Sequence, residues 1–223
     1  MKKYLLISAV ILTCASLKAQ SNYDSSFRFY YYDQKLSMFE KMPTPKKAVV
    51  WLGDSITDGG EWSELFPQYA TLNRGISADH TFGLLHRLYE IIQRKPWKLF
   101  ILIGINDLSR NFPDAVILQN YRRMIDSIQQ QSPNTRIYIQ SILPTNDRFT
   151  QFKNHQQRTA HILFINSELK KMCTQPNLVY INLYDAFTDA EGKLDARYTN
   201  DGLHLTGAGY LRWKEVLQNG GYL

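Results

Sequence analysis

Four short apolar runs punctuate the chain: Ala48–Leu52, Phe100–Ile103, Ile137–Ile142 and Leu178–Leu183. Each is four to six residues long and rich in β-branched or aromatic residues, the pattern of a buried strand. Ala70–Asn73 is a weaker fifth candidate. Between them the period changes. Leu84, Leu85, Leu88, Ile91 and Ile92 recur at helical spacing. So do Ile117, Tyr121, Met124, Ile125 and Ile128, after a start signal at Pro113-Asp114. Ala160–Met172 and Leu211–Leu217 supply two more helices. Ahead of the first strand, Phe27–Met42 places Tyr32, Leu36 and Phe39 on one helical face, which predicts an N-terminal helix packed on the domain. The alternative for its Phe29-Tyr30-Tyr31-Tyr32 run is a sugar-stacking or membrane-touching surface. Strands alternating with helices require right-handed crossovers and a parallel sheet covered on both faces. The expected fold is therefore α/β, a flavodoxin-like three-layer sandwich with about five parallel strands. In such sheets ligands bind beyond the carboxyl ends of the strands.

The 223 residues suit one domain with a full core, and 44% hydrophobic with 21% charged residues excludes a disordered chain. The beginning is set apart. Lys2 and Lys3 precede an apolar run from Tyr4 to Ala15, and Leu17-Lys18-Ala19-Gln20 offers a cleavage point. This predicts a signal peptide over residues 1–19 and export to the periplasm or the medium. The remaining domain spans 20–223, with 20–45 as a helical extension. The apolar run is short for a membrane span, although a retained anchor is the alternative. Cys14 follows Ile11-Leu12-Thr13, a poor match to a lipoprotein signal.

Removing Lys2, Lys3 and Lys18 takes the net charge from +6 to 6 − 3 = +3, and the remaining basic residues are scattered. That balance calls for neither nucleic acid nor a stable membrane partner. Cys173 is then the only cysteine, so no intramolecular disulfide is available. It reads as a small buried apolar residue rather than a nucleophile.

The chemistry-bearing residues fall at predicted strand ends. Gly53-Asp54-Ser55 directly follows the first strand, where a serine sits at the carboxyl edge of the sheet. Its plainer reading is a polar turn or a helix cap. Among His80, His86, His155, His161 and His204, the last follows Asp201 by three residues in Asp201-Gly202-Leu203-His204. That spacing sets a carboxylate beside an imidazole, whose other nitrogen can take a serine proton; His80 is the runner-up. Acyl transfer also needs donors for a developing oxyanion. Asn106 in Gly104-Ile105-Asn106-Asp107 and Gly75 in Asn73-Arg74-Gly75-Ile76 are candidates, with turn chemistry as the alternative for both. No Gly-x-Ser-x-Gly elbow, His-Glu-x-x-His zinc pattern or phosphate loop occurs, and no metal or cofactor is expected.

The four blocks Gly53-Asp54-Ser55-Ile56-Thr57, Gly75, Gly104-Ile105-Asn106-Asp107 and Asp201-Gly202-Leu203-His204 together resemble those of the SGNH (GDSL) hydrolases, over roughly residues 45 to 217. The resemblance implies Ser55 as nucleophile, His204 as base and Asp201 as the group orienting it. It implies an oxyanion hole from the N–H of Ser55, the N–H of Gly75 and the amide of Asn106. One departure stands in the second block, Ser77-Ala78-Asp79 where many relatives carry Gly-Gly-Asp. The segment 73–87 is similar to the acetylhydrolase-like branch, which implies acetyl or other small acyl groups. The expected protein is an exported esterase acting on small-molecule or glycan esters, probed against two alternatives: a lipase or lysophospholipase, and a catalytically silent carbohydrate-binding protein. The sequence leaves its oligomeric state open.

Overall fold

Five apolar segments pair into one sheet: β1 (Val49–Gly53), β2 (Thr71–Gly75), β3 (Lys98–Leu102), β4 (Arg136–Gln140) and β5 (Leu178–Ile181). The order is β2-β1-β3-β4-β5, and every neighbouring pair is parallel. The structure, a computed structural model, describes residues 23–223. The expected signal peptide over 1–19 lies outside the described residues.

The helices are α1 (Tyr30–Lys41), α2 (Ser55–Asp58), α3 (Trp62–Leu65), α4 (Thr81–His86), α5 (Leu88–Arg94), α6 (Ile105–Ser109), α7 (Asp114–Gln131), α8 (Thr159–Met172), α9 (Tyr184–Phe187) and α10 (Gly207–Asn219). Among them, none is long and apolar enough to cross a membrane. The chain steps from β1 outward to β2, then back across β1 to β3, β4 and β5. Right-handed crossovers place the helices of the outward and returning connections on opposite faces. The contacts agree: Trp62 of α3 meets Trp213 of α10 at 4.9 Å between ring centroids, while α7 packs against α4, α5 and α8. The result is a three-layer α/β sandwich.

An aromatic ladder ties one face of the sheet together. Trp51, Phe100 and Tyr138 are register partners on β1, β3 and β4. Their rings stack at 4.6 and 4.4 Å, and Trp62 covers Trp51 at 3.8 Å. Large rings opposite one another across a sheet combine apolar burial with favourable offset stacking.

Element bounds differ from the sequence pattern where side chains from elsewhere intervene. The run expected for β4 reaches Ile142, but the strand stops at Gln140. Asn166 of α8 takes over, accepting the Ile142 N–H at 2.8 Å and donating to its carbonyl at 2.9 Å. β2 runs on to Gly75 because β1 pairs with it along its whole length, ending at Gly53 opposite Gly75. The single helix expected around Leu84–Ile92 is divided at Arg87, whose side chain turns inward and is 1% exposed. α1 buries Tyr32, Leu36 and Phe39. The Tyr32 hydroxyl donates to the Gly83 carbonyl at 2.8 Å, and the Arg74 guanidinium lies 4.5 Å from the Phe39 ring centre.

Candidate active site

The sheet order reverses direction between β1 and β3, and loops leaving their carboxyl ends part there to open a crevice. Asp54 follows β1 and caps α2, its Oδ1 accepting the Ile56 N–H at 3.0 Å. Ser55 is therefore the first residue of a helix, and its own N–H has no acceptor among the described residues. The Asp201–His204 loop arrives from the far end of the chain. His204 Nε2 lies 2.9 Å from Ser55 Oγ, and His204 Nδ1 lies 2.7 Å from Asp201 Oδ2. The second oxygen of Asp201 accepts the N–H groups of Leu203 and His204 at 2.9 and 2.8 Å. Partial burial pushes the Asp201 carboxyl up, but these bonds, led by the one from the His204 ring, outweigh burial and hold it below the ordinary value. An ionised Asp201 requires the His204 proton on Nδ1, leaving a bare Nε2 facing the serine hydroxyl. Phe152 supports the ring edge-to-face at 4.8 Å.

Asn106 opens α6 after β3. Gly104 makes the approach with φ +125°, a conformation closed to side chains, and a Cβ there would sit 2.7 Å from Ile142 Cδ1. Asn106 Nδ2 donates to the Asp79 carbonyl at 2.8 Å, leaving its second hydrogen open, and Asn106 Oδ1 lies 2.9 Å from His155 Nε2.

Gly75 departs from its expected role. Its N–H donates to Asn73 Oδ1 at 2.8 Å and is not open to a substrate. Its missing side chain serves packing instead: a Cβ would lie 2.1 Å from the Asp58 nitrogen. The open donor in this block is three residues further on. Ile76–Asp79 forms a turn closed by the Asp79 N–H on the Ile76 carbonyl at 3.1 Å. Ala78 occupies its third position at φ +66°, where glycine is the usual residue. Among the described residues nothing accepts the Ala78 N–H. Ala78 stands between Ser77, which lines the Ser55–His204 depression, and Asp79, whose carbonyl holds Asn106. The sequence signal was the Ser77-Ala78-Asp79 departure itself.

Buried ionic groups hold these loops. Arg87 donates to Asp79 at 2.8 Å, to the Arg74 carbonyl at 2.9 Å and to the Gly53 carbonyl at 3.0 Å. One guanidinium thereby joins the ends of β1 and β2 to the turn. Asp107 accepts the Thr81 hydroxyl at 2.5 Å, and Asn120 of α7 donates to the same hydroxyl at 2.8 Å. Burial pushes the Asp54 and Asp107 carboxyls up to about 7.

The other histidines are committed elsewhere. His80 caps α4, accepting the Phe82 N–H at 3.3 Å, with its other nitrogen 3.0 Å from the Ser26 carbonyl; burial lowers its pKa to about 4. His86 neighbours the Tyr32 hydroxyl, and His161 pairs with Asp114 at the surface. Cys173 is half-buried, and burial pushes its thiol up to about 11, away from nucleophilic use.

The depression at Ser55 is open, about 430 Å³, and bounded by Tyr31, Asp58, Gly59, Ser77, Leu205 and Tyr210. A serine, an imidazole and a carboxylate bonded in sequence at the carboxyl edge of a parallel sheet have the arrangement of a serine hydrolase. The sequence profile of the GDSL-like Lipase/Acylhydrolase family matches residues 51–212, and the chain belongs to that family, which makes the protein a carboxylic ester hydrolase. It is 24% identical over 170 residues to platelet-activating factor acetylhydrolase IB subunit alpha2 of Rattus norvegicus, covering 74% of this chain and 71% of that one. It is 27% identical over 177 residues to an arylesterase of Vibrio mimicus, covering 74% and 83%. A Streptococcus pneumonia protein assigned as a platelet activating factor has a similar structure. Its TM-score is 0.78 at 28% identity, over 85% of this chain and 92% of that one.

Proposed function

We propose that this chain is an exported serine esterase that removes acetyl or other short acyl groups from carbohydrates through an acyl-serine intermediate. The carrying observation is the bond relay from Asp201 through His204 to Ser55, at 2.7 and 2.9 Å. His204 Nε2 takes the hydroxyl proton as Ser55 Oγ bonds to the ester carbonyl carbon. The electrons of the carbonyl double bond move to oxygen. That oxyanion is met by the N–H groups of Ser55 and Ala78 and by Asn106 Nδ2. The intermediate collapses, the carbon–oxygen bond to the alcohol breaks, and His204 returns the proton to the departing oxygen. Water repeats the sequence on the acyl-serine, releasing the acid and restoring the serine.

The substrate reading rests on the walls of the site. Leu205 is the one aliphatic side chain among those bounding the depression, whereas Tyr31, Asp58, Ser77 and Tyr210 present polar groups. A long acyl chain needs a continuous apolar groove, while polar and aromatic walls suit a small acyl group on a hydroxylated carrier. The acetylhydrolase and arylesterase relatives support the short acyl group. The Lys2-Lys3 start and the apolar run after it support export, and exported enzymes meet glycans.

The test compares nitrophenyl acetate with long-chain nitrophenyl esters and with acetylated polysaccharide, using wild type and Ser55→Ala. Short esters are expected to be preferred, and the variant to lose at least about a thousandfold in kcat with its melting temperature retained. A fluorophosphonate should label the Ser55 peptide alone. Turnover surviving in Ser55→Ala would remove the nucleophile, and a preference for long chains would favour a lipase.

A further inference from the structure

An asparagine side chain offers an oxygen at one end of its amide and a nitrogen at the other, and only the nitrogen can help an oxyanion. Asn106 has its Nδ2 on the Asp79 carbonyl at 2.8 Å, so Oδ1 faces the opposite way, 2.9 Å from His155 Nε2. Because Oδ1 can only accept, His155 must carry its proton on Nε2. We propose that His155 is a positioning residue for catalysis: its Nε2–H holds the Asn106 amide in the one orientation that presents Nδ2 to the reacting carbonyl oxygen. This rests on the reading of Asn106 as an oxyanion donor.

The surroundings of His155 fit a fixed donor. It ends a short 3-10 turn, Lys153–His155, with its N–H on the Phe152 carbonyl at 3.0 Å. Its Nδ1 is buried and has no partner among the described residues, so a second proton there would be an unpaired buried donor. Burial lowers its pKa to about 4, and the neighbouring His204 and Arg158 push the same way. The ring stays neutral through the range where an esterase works, with its single proton directed by Asn106. A flipped Asn106 would set Oδ1 against the Asp79 carbonyl, acceptor against acceptor, and would aim an oxygen at the oxyanion. His155 and Asp79 thus grip the two ends of one amide, and the gain is preorganisation rather than contact with substrate.

A purely steric role for His155 is the competing explanation. Its ring lies 5.8 Å from Phe152, which in turn supports His204. Three substitutions separate the two. His155→Phe keeps an aromatic ring but loses the donor. His155→Leu makes the same comparison without a ring. His155→Gln restores an N–H near the position of Nε2. With nitrophenyl acetate, the Phe and Leu variants are expected to lose about ten- to a hundredfold in kcat, with KM changed by less than about twofold. The Gln variant should recover most of that loss. The acid limb of the pH–rate profile should not move, because His204 keeps its partners; displacement of that limb would assign the effect to Phe152 and His204 and overturn the proposal. The decisive comparison adds His155→Phe to Asn106→Ala. If His155 acts through Asn106, it costs less than about twofold in that background. An equal loss in both backgrounds, or wild-type kcat in the Phe and Leu variants beside a slow Asn106→Ala, overturns the role of His155 and leaves the oxyanion donor standing. Wild-type kcat in Asn106→Ala alone overturns the reading beneath it.

Discussion

Asp54 precedes Ser55, and the structure gives it a stability cost that pH should expose. It is 0% exposed; Oδ1 accepts the Ile56 N–H, and Oδ2 has no hydrogen-bond partner among the described residues. Burial raises its carboxyl from an ordinary 3.8 to about 7, with the charges of Asp79 and Asp107 adding to the rise. The folded protein thus holds a proton that the unfolded chain releases at lower pH, and stability falls as pH climbs. The contribution is fully present below about 3.8 and is lost as pH passes through about 7. At about 1.4 kcal/mol per pH unit, that gap is worth about 4 kcal/mol, or about 2 kcal/mol where the surroundings relax around the new charge. Asp54→Asn keeps the shape of the neutral acid and cannot ionise. Urea unfolding of both proteins from pH 4.5 to 8.5 should therefore show the difference between them moving by about 2–4 kcal/mol in favour of the variant as pH rises. Some slope will persist in Asp54→Asn, because Asp107 is also raised to about 7 by burial. Parallel curves for the two proteins would refute the reasoning, since Asp54 would then carry the same charge folded and unfolded.

Three further outcomes follow from the same contacts. Arg87→Met strands a fully buried Asp79 and two carbonyls, and should cost about 3–5 kcal/mol in urea unfolding; a cost under about 1 kcal/mol would contradict the pairing. Asp201→Asn should lower kcat by about two to four orders of magnitude with melting little changed, because Asn no longer dictates the His204 tautomer; an unchanged kcat would remove that role. Ala78→Gly relieves a left-handed alanine at φ +66°, so stability should stay level or rise by up to about 1 kcal/mol with activity retained. A clear loss of stability would show that the alanine is unstrained.

The sheet was legible in the sequence because its strands are buried on both faces. Runs such as Val49–Leu52 carry that signal without any knowledge of their neighbours. Their ends were less legible, because Asn166, distant in sequence, replaces the ladder at Ile142. The Ser55–His204–Asp201 meeting was legible for a related reason: Ser55 follows a strand, and a three-residue spacing joins His204 to its carboxylate. Gly75 misled because an absent side chain has two uses, an open N–H or a close backbone approach, and sequence does not separate them. Ala78 was marked only by the departure of Ser77-Ala78-Asp79 from Gly-Gly-Asp, because a positive φ in alanine leaves no compositional mark of its own. Arg87 and Asp79 were hidden too, since charged residues beside an amphipathic helix read as solvated until the interior is seen to contain them.

The site divides into two halves of different character, and the division follows the chemistry. In the donor half Asn106 and its supports are buried and cross-bonded, while Ser55 is half-buried and Ala78 exposed. Asn106 is 7% exposed, Asp79 is 1% exposed, and Arg87 binds the ends of β1 and β2 to the turn that follows β2. Oxyanion stabilisation gains most from dipoles fixed beforehand, because they do not reorganise when charge appears. The base half is more open, with side-chain exposures of 30% for His204 and 20% for Asp201. A base that takes a proton, returns it to a departing alcohol and then activates water has to face the route by which alcohol leaves and water enters. A fold that enclosed the base as tightly as it encloses Asn106 would hinder the second function. Three donor-bearing loops anchored on adjacent strands, met by a base on a partly exposed loop, satisfy both demands in one crevice.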